Sequence, residues 1–182
     1  MLGSTQSILR RLTTESRGAE IAEAAAVLPL MFMILIGIFW FGQAFSMYGT
    51  ITRAAQDGAR AGAAPYCTTC TPGSTSQNQN AFNAVKASMS VAKLDAANAK
   101  YPSSTPAFNS CVSGGGSVGC DTTITGVCVQ SQVLMSSNTS SGGVCGISVS
   151  FQYPFQFWLP FTSLNKQKIW VTASAHARVE NQ

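Results

Sequence analysis

The stretch AEIAEAAAVLPLMFMILIGIFWFGQAF, Ala19 to Phe45, decides how this chain folds. Two glutamates, Glu20 and Glu23, stand at its start. From Ala24 to Phe45 there follow 22 consecutive uncharged and mostly apolar residues. A helix rises about 1.5 Å per residue, so roughly 20 residues cross the hydrocarbon core of a bilayer. The run stays uncharged as far as Thr52, which leaves slack for tilt. Secretory signal peptides have apolar cores of only about 7–15 residues before a small-residue cleavage site. The segment therefore reads as a retained anchor. Pro29 lies inside it, where neighbouring groups re-satisfy a lost backbone bond, so a kink is expected rather than a break.

Orientation follows from the flanks. Arg10, Arg11 and Arg17 precede the span, whereas Arg53 and Arg60 follow it with Asp57 between them. The excess of positive charge before the span places the N-terminus in the cytoplasm. All six cysteines (Cys67, Cys70, Cys111, Cys120, Cys128, Cys145) come after the anchor. An even count on one side of a membrane points to disulfides in an oxidising compartment, with the pairing left open. The net charge of +4 is spread without any block of like charge, which argues against nucleic acid as a partner. The expected organisation is a basic cytoplasmic leader over 1–18, then a long helix over 19–63 with its transmembrane part at about 24–45. An extracytoplasmic α+β domain with six cysteines fills 64–182.

Beyond the apolar run, the sequence GTITRAAQDGARAGAA holds no proline until Pro65, so the helix is expected to continue to about Ala63. Small residues crowd that outer half: Ala54, Ala55, Gly58, Ala59 and Gly62. They permit close approach by another backbone, either a neighbouring helix or a sheet. Phe82, Val85, Met89, Ala92, Ala96 and Ala99 repeat at helical spacing and predict a second, short helix ended by Tyr101-Pro102. Lys86, Lys93 and Lys100 form its solvated stripe. The Gly/Ser-rich segment from Ser103 to Cys120 reads as loop.

The last third is strand. In ISVSFQYPFQF (147–157) apolar and polar residues alternate strictly, which predicts one buried and one wet sheet face. Pro154 marks a bulge or an edge. IWVTASAHARV (169–179) alternates likewise, and a third strand is expected near Thr123–Met135, with Ser136–Gly143 as the turn between two strands. The fold class is α+β and pilin-like: a long N-terminal transmembrane helix packed on a small antiparallel sheet of three to four strands, plus a short second helix.

The glutamates acquire a reason if a peptidase cuts after Gly18. The chain would then begin at Ala19, and Glu23 would stand i,i+4 from the new α-ammonium. A first-turn carboxylate is favoured by the helix macrodipole by roughly 0.3–1 kcal/mol. An unpaired one at a membrane boundary costs several kcal/mol, so a partner is expected, either in the same chain or in a neighbouring subunit. The plainer reading is a single-pass protein with its glutamates in the headgroup region.

The junction resembles that of type IV prepilins, and three blocks resemble the TadE-like family, pseudopilins of the tight-adherence (Flp) pilus machinery. They are RGAEIAEAAAVLPLMFMILIGIFWFGQAF, ITRAAQDGARAGA and the terminal VTASAHARVE. The resemblance implies processing by a prepilin peptidase between Gly18 and Ala19, an assembly role for Glu23, and other pilins or pseudopilins and inner-membrane pilus assembly proteins as partners. Ala19 stands where type IV pilins commonly carry phenylalanine, and Ala24 where major Flp pilins carry tyrosine. Both suit a minor, pilin-like subunit. No cofactor is expected, and the role is structural rather than enzymatic.

Competing chemistry is weaker. Cys67-Thr-Thr-Cys70 has the C-x-x-C spacing of a thiol-disulfide oxidoreductase, which makes a membrane-anchored redox protein the alternative. It follows a helix stop instead of opening a helix, and four further cysteines favour structural bridging. A zinc site needs four converging ligands, which the irregular spacings do not suggest. His176 falls on the polar side of the last strand with no nucleophile spaced to use it. SGGGS at 113–117 lacks a lysine and a following helix and reads as linker. An anchored binding module unrelated to pili is the remaining alternative.

Overall fold

The computed structural model of the protein describes residues 16–64, 76–111, 116–136, 143–156 and 168–179. The leader as far as residue 15, Cys67 and Cys70, and the 136–143 turn from 137 to 142 lie outside the described residues. The elements are α1 (Ser16–Ala63), α2 (Gln77–Val91), a 3-10 turn (Ala96–Asn98), β1 (Phe108–Asn109), β2 (Ser117–Val118), β3 (Cys128–Ser136), β4 (Val144–Gln156) and β5 (Lys168–Arg178). The architecture is α+β. β3, β4 and β5 form an antiparallel sheet with β4 in the centre, and β1 pairs with β2 in a separate two-stranded ribbon. The chain divides into two compact units, the first ending at Gln43 and the second beginning at Ala44.

In the second unit, one face of the sheet carries Ile147, Val149, Phe151 and Tyr153 from β4 and Ala173 and Ala175 from β5. Period-two alternation puts these side chains on one side of the pleat. They meet Ile51, Ala54, Ala55 and Ala59 of α1 and Ala81, Val85 and Met89 of α2, all buried in one core. Full burial of a side chain such as Phe151 contributes about 1.5–3 kcal/mol, so this layer dominates the stability of the unit.

The opposite face departs from expectation. The alternation predicts a wet side, yet Ser148 and Ser150 are 0% and 1% exposed. The segment read as loop folds over them. Gln130, opposite Ser148 in the ladder, donates its side-chain amide to Val118 O at 2.7 Å and to Pro106 O at 3.3 Å. Gln152 donates to Ser103 Oγ at 2.8 Å, and Phe108 stands edge-on to His176 with ring centroids 5.2 Å apart. Two bridges fasten this strap to the sheet: Cys111–Cys145 and Cys120–Cys128, with Cα separations of 5.5 and 4.9 Å. Small polar residues at 148 and 150 thus mark space for a covering chain, which alternation alone reads as solvent.

Pro154 follows from the ladder. Gln152 N–H donates to Lys100 O, in an isolated bridge beyond the end of β3. Two residues further on, Pro154 directs its nitrogen to the same side, past the last pairing, so its missing N–H costs no ladder bond. The pairing of β4 with β5 continues through Pro154 without a bulge.

α2 stops at Val91, not at Tyr101. Lys93 adopts φ +58°, Lys93 N–H donates to Ser90 O, and Leu94 N–H donates to Met89 O. This is a Schellman stop with lysine at the position glycine usually takes, and Leu94 packs back on the core. Asp95 then accepts from Ala97 N–H and starts the 3-10 turn. Ala96 and Ala99 approach the core from that turn, so the repeat that extends the helix on paper is met by two different elements.

Candidate functional site: the amino-terminal helix

α1 puts its glycines to two uses. A Cβ added at Gly58 would overlap Val85 Cγ2 and lie 3.1 Å from Ala81 O. At Gly62 it would lie 2.5 Å from Ile147 Cδ1 and 3.0 Å from Ala81 Cβ. The small-residue stripe Ala54, Ala55, Gly58, Ala59, Gly62 is therefore buried within the chain, between α2 and the sheet. At Gly18, Gly37, Gly42 and Gly49 an added Cβ would meet nothing within 4 Å.

Before Ala44 the helix presents its apolar side chains outward, from Ile21 to Phe41. The helix from Glu20 to Ala63 contains an 18-residue window of mean hydropathy 2.4 with none of it buried, so it is long and apolar enough to cross a membrane. Contiguous apolar surface on this scale marks a site to be covered by lipid or by other helices. Hydroxyls at its far end are neutralised locally: Thr50 Oγ1 donates to Ser46 O at 2.9 Å and Thr52 Oγ1 to Tyr48 O at 2.8 Å. Such back-bonds leave no unpaired donor facing an apolar medium.

Gly18, Glu20 and Glu23 are all exposed on α1, and Ala19 lies within the same helix. The helix begins at Ser16 and carries no acidic residue in its first turn. The macrodipole effect fades within that turn, so it favours neither glutamate here, whereas a helix starting at Ala19 would hold Glu20 in its first turn. Glu23 lies one helical turn from Ala19, on the same face.

The remaining candidates sort by position. Cys111, Cys120, Cys128 and Cys145 are joined in the two bridges above, and Cys67 and Cys70 lie outside the described residues. Among the described residues no three His, Cys, Asp or Glu side chains come together to hold a metal. His176 is exposed on β5. Asp121 went unnoticed in the sequence: it accepts from Asn78 Nδ2 at 2.7 Å and from Thr123 Oγ1 at 2.6 Å. These bonds, Thr123 first and then Asn78, hold its carboxyl below the usual carboxylate range and tie the strap to the start of α2.

Comparison with known proteins adds one match: the family described as TadE-like protein fits residues 18–60. The matched segment runs from the glycine before the glutamates to the third residue before the end of α1, and so takes in both the exposed stem and most of the packed stripe. No curated protein and no solved structure matches the chain.

Proposed function

We propose that the protein is a minor pilin-like subunit (a pseudopilin) that takes part in initiating or assembling a tight-adherence (Flp) pilus. The observation that carries this reading is the TadE-like match over 18–60, on a helix whose first part is apolar and exposed and whose outer part is seated on a sheet. The subunit sits in the inner membrane by its single apolar helix, with the N-terminus cytoplasmic and the cysteine-bearing domain outside. Its partners are other pilins or pseudopilins, inner-membrane assembly proteins and a prepilin peptidase. Its role is mechanical: stems associate through apolar surface and the open glycines, while Glu23 pairs with the amino terminus of Ala19 in its own or a neighbouring chain. Removing the leader brings Glu20 into the first turn of the shortened helix, where the macrodipole favours its charge by roughly 0.3–1 kcal/mol, and leaves Glu23 one turn from the new α-ammonium.

Two measurements test this. The N-terminus of protein isolated from cells with active peptidase should be Ala19; Met1 there refutes processing. Glu23→Ala should abolish or strongly reduce surface pili while membrane insertion stays as in the parent. Normal piliation in that variant refutes the pairing.

A further inference from the structure

Val91, the last residue of α2, is 86% exposed, more than Met33 of the stem at 74%. It lies off the face that α2 turns to the core, and the short Schellman turn that follows carries exposed Ala92 and Lys93. The position of this tip is fixed by α2 running antiparallel to the outer part of α1. Gly62 meets Gln77 and Ala81, Gly58 meets Ala81 and Val85, and Ser88 Oγ donates to Asp57 Oδ2 at 2.6 Å. At the end of that series Val91 and Ala92 share a groove of about 270 Å³ with Thr50, Arg53 and Asp57. The tip is thus level with Thr50–Arg53.

That level has a physical meaning. Arg53 is the first charge after Glu23. The uncharged run between them, Ala24 to Thr52, is 29 residues, which rises about 43 Å as a helix. A bilayer with its headgroup layers is about 40–45 Å thick. Exposed Tyr48 precedes Arg53 by little more than one turn, the amphipathic ring that favours the membrane–water boundary.

We propose that the Val91–Lys93 tip of α2 is a second membrane contact, docked in the phospholipid headgroup layer beside the point where α1 leaves the bilayer. Val91 supplies the apolar contact, and Arg53 and Lys93 face the lipid phosphates. Asp57, bonded by Ser88, and Asp95, bonded by Ala97 N–H, keep their charges, so the tip is close to neutral and presents both signs to zwitterionic headgroups. The contact limits the tilt of the domain against the bilayer surface, which a single span leaves undetermined. It rests on α1 spanning the membrane.

The test uses the full chain in phosphatidylcholine–phosphatidylglycerol nanodiscs, one copy per disc. A photo-crosslinking benzoylphenylalanine is placed in turn at Val91, at Phe39 in the stem and at exposed Asn83. Asn83 is eight residues earlier on α2, about 12 Å up the helix. Lipid adducts read by mass spectrometry are expected at Val91 and Phe39 and not at Asn83. Adducts at Phe39 alone overturn the second contact and leave the span intact. Equal adducts at Val91 and Asn83 also overturn it, because they show an unoriented domain. No adduct at Phe39 overturns the span, and the contact with it.

Discussion

Gly58→Ala isolates the packing on which the domain depends. The new Cβ would overlap Val85 Cγ2 and stand 3.1 Å from Ala81 O and 3.6 Å from Val149 Cγ1. Val85 is fully buried and β-branched, so its χ1 has little freedom in a helix, and Ala81 O belongs to the α2 backbone. Neither yields, and α1 must move away from α2. Overpacking of this kind costs about 1–3 kcal/mol. Replacing a helical glycine with alanine returns about 0.8–1 kcal/mol, which leaves a net loss of between about 0 and about 2 kcal/mol, about 1 at the middle of the range. Gly49→Ala is the control, because a Cβ there meets nothing and the same helical gain stands alone. Both full-length variants would be melted in detergent with near-ultraviolet circular dichroism as the readout. For a unit of this size each kcal/mol moves Tm by about 3–6 °C. Gly58→Ala should melt below the parent and Gly49→Ala at or above it. Shifts of the same sign and size at both positions would show that helix propensity, not the α1–α2 contact, governs the result.

Other outcomes follow from the same geometry. Asp121 has its carboxyl lowered in the folded state, so its contribution is present above the unfolded value of about 3.9 and is lost as pH falls through the folded value. The Tm gap between the parent and Asp121→Asn should be open at pH 6 and close below about pH 4; a constant gap down to pH 2 rejects the assignment. Cys111→Ala with Cys145→Ala removes a bridge closing 34 residues, and should lower unfolding free energy in urea by about 3–4 kcal/mol, whereas an unchanged midpoint counts against it. Hydrogen exchange after reduction should speed up at Cys111 and Asp121, whose amides bond to Gln132 O and Val129 O, and leave the amides of α2 beyond its first turn unchanged. Equal acceleration in α2 would mean that the two faces of the sheet are not independent.

The long helix, the order of the elements and the helix-facing side of the sheet were legible because their periods are clean. Ile147, Val149, Phe151 and Tyr153 alternate without exception, and the alanines of α1 announce a close neighbour. The stop of α2 was hidden because Lys93, not glycine, takes the left-handed position. The covered second face was hidden for a different reason: serine is small and polar, and Ser148 and Ser150 carry the same letters whether water or a chain lies above them. Within the candidate site, Glu23 and Gly18 stand out by spacing alone. Val91 does not, because an apolar residue off the helical stripe looks incidental until α2 is placed beside Thr50 and Arg53.

The strap also bears on how the protein matures. Both bridges join the strap to the strands, and neither joins a helix residue. A chain that has not yet met an oxidant can therefore complete its helix-on-sheet core and still carry an open second face. Packing and oxidation need not finish together: the core can form first, and oxidation closes the second face afterwards, as a separate and later event.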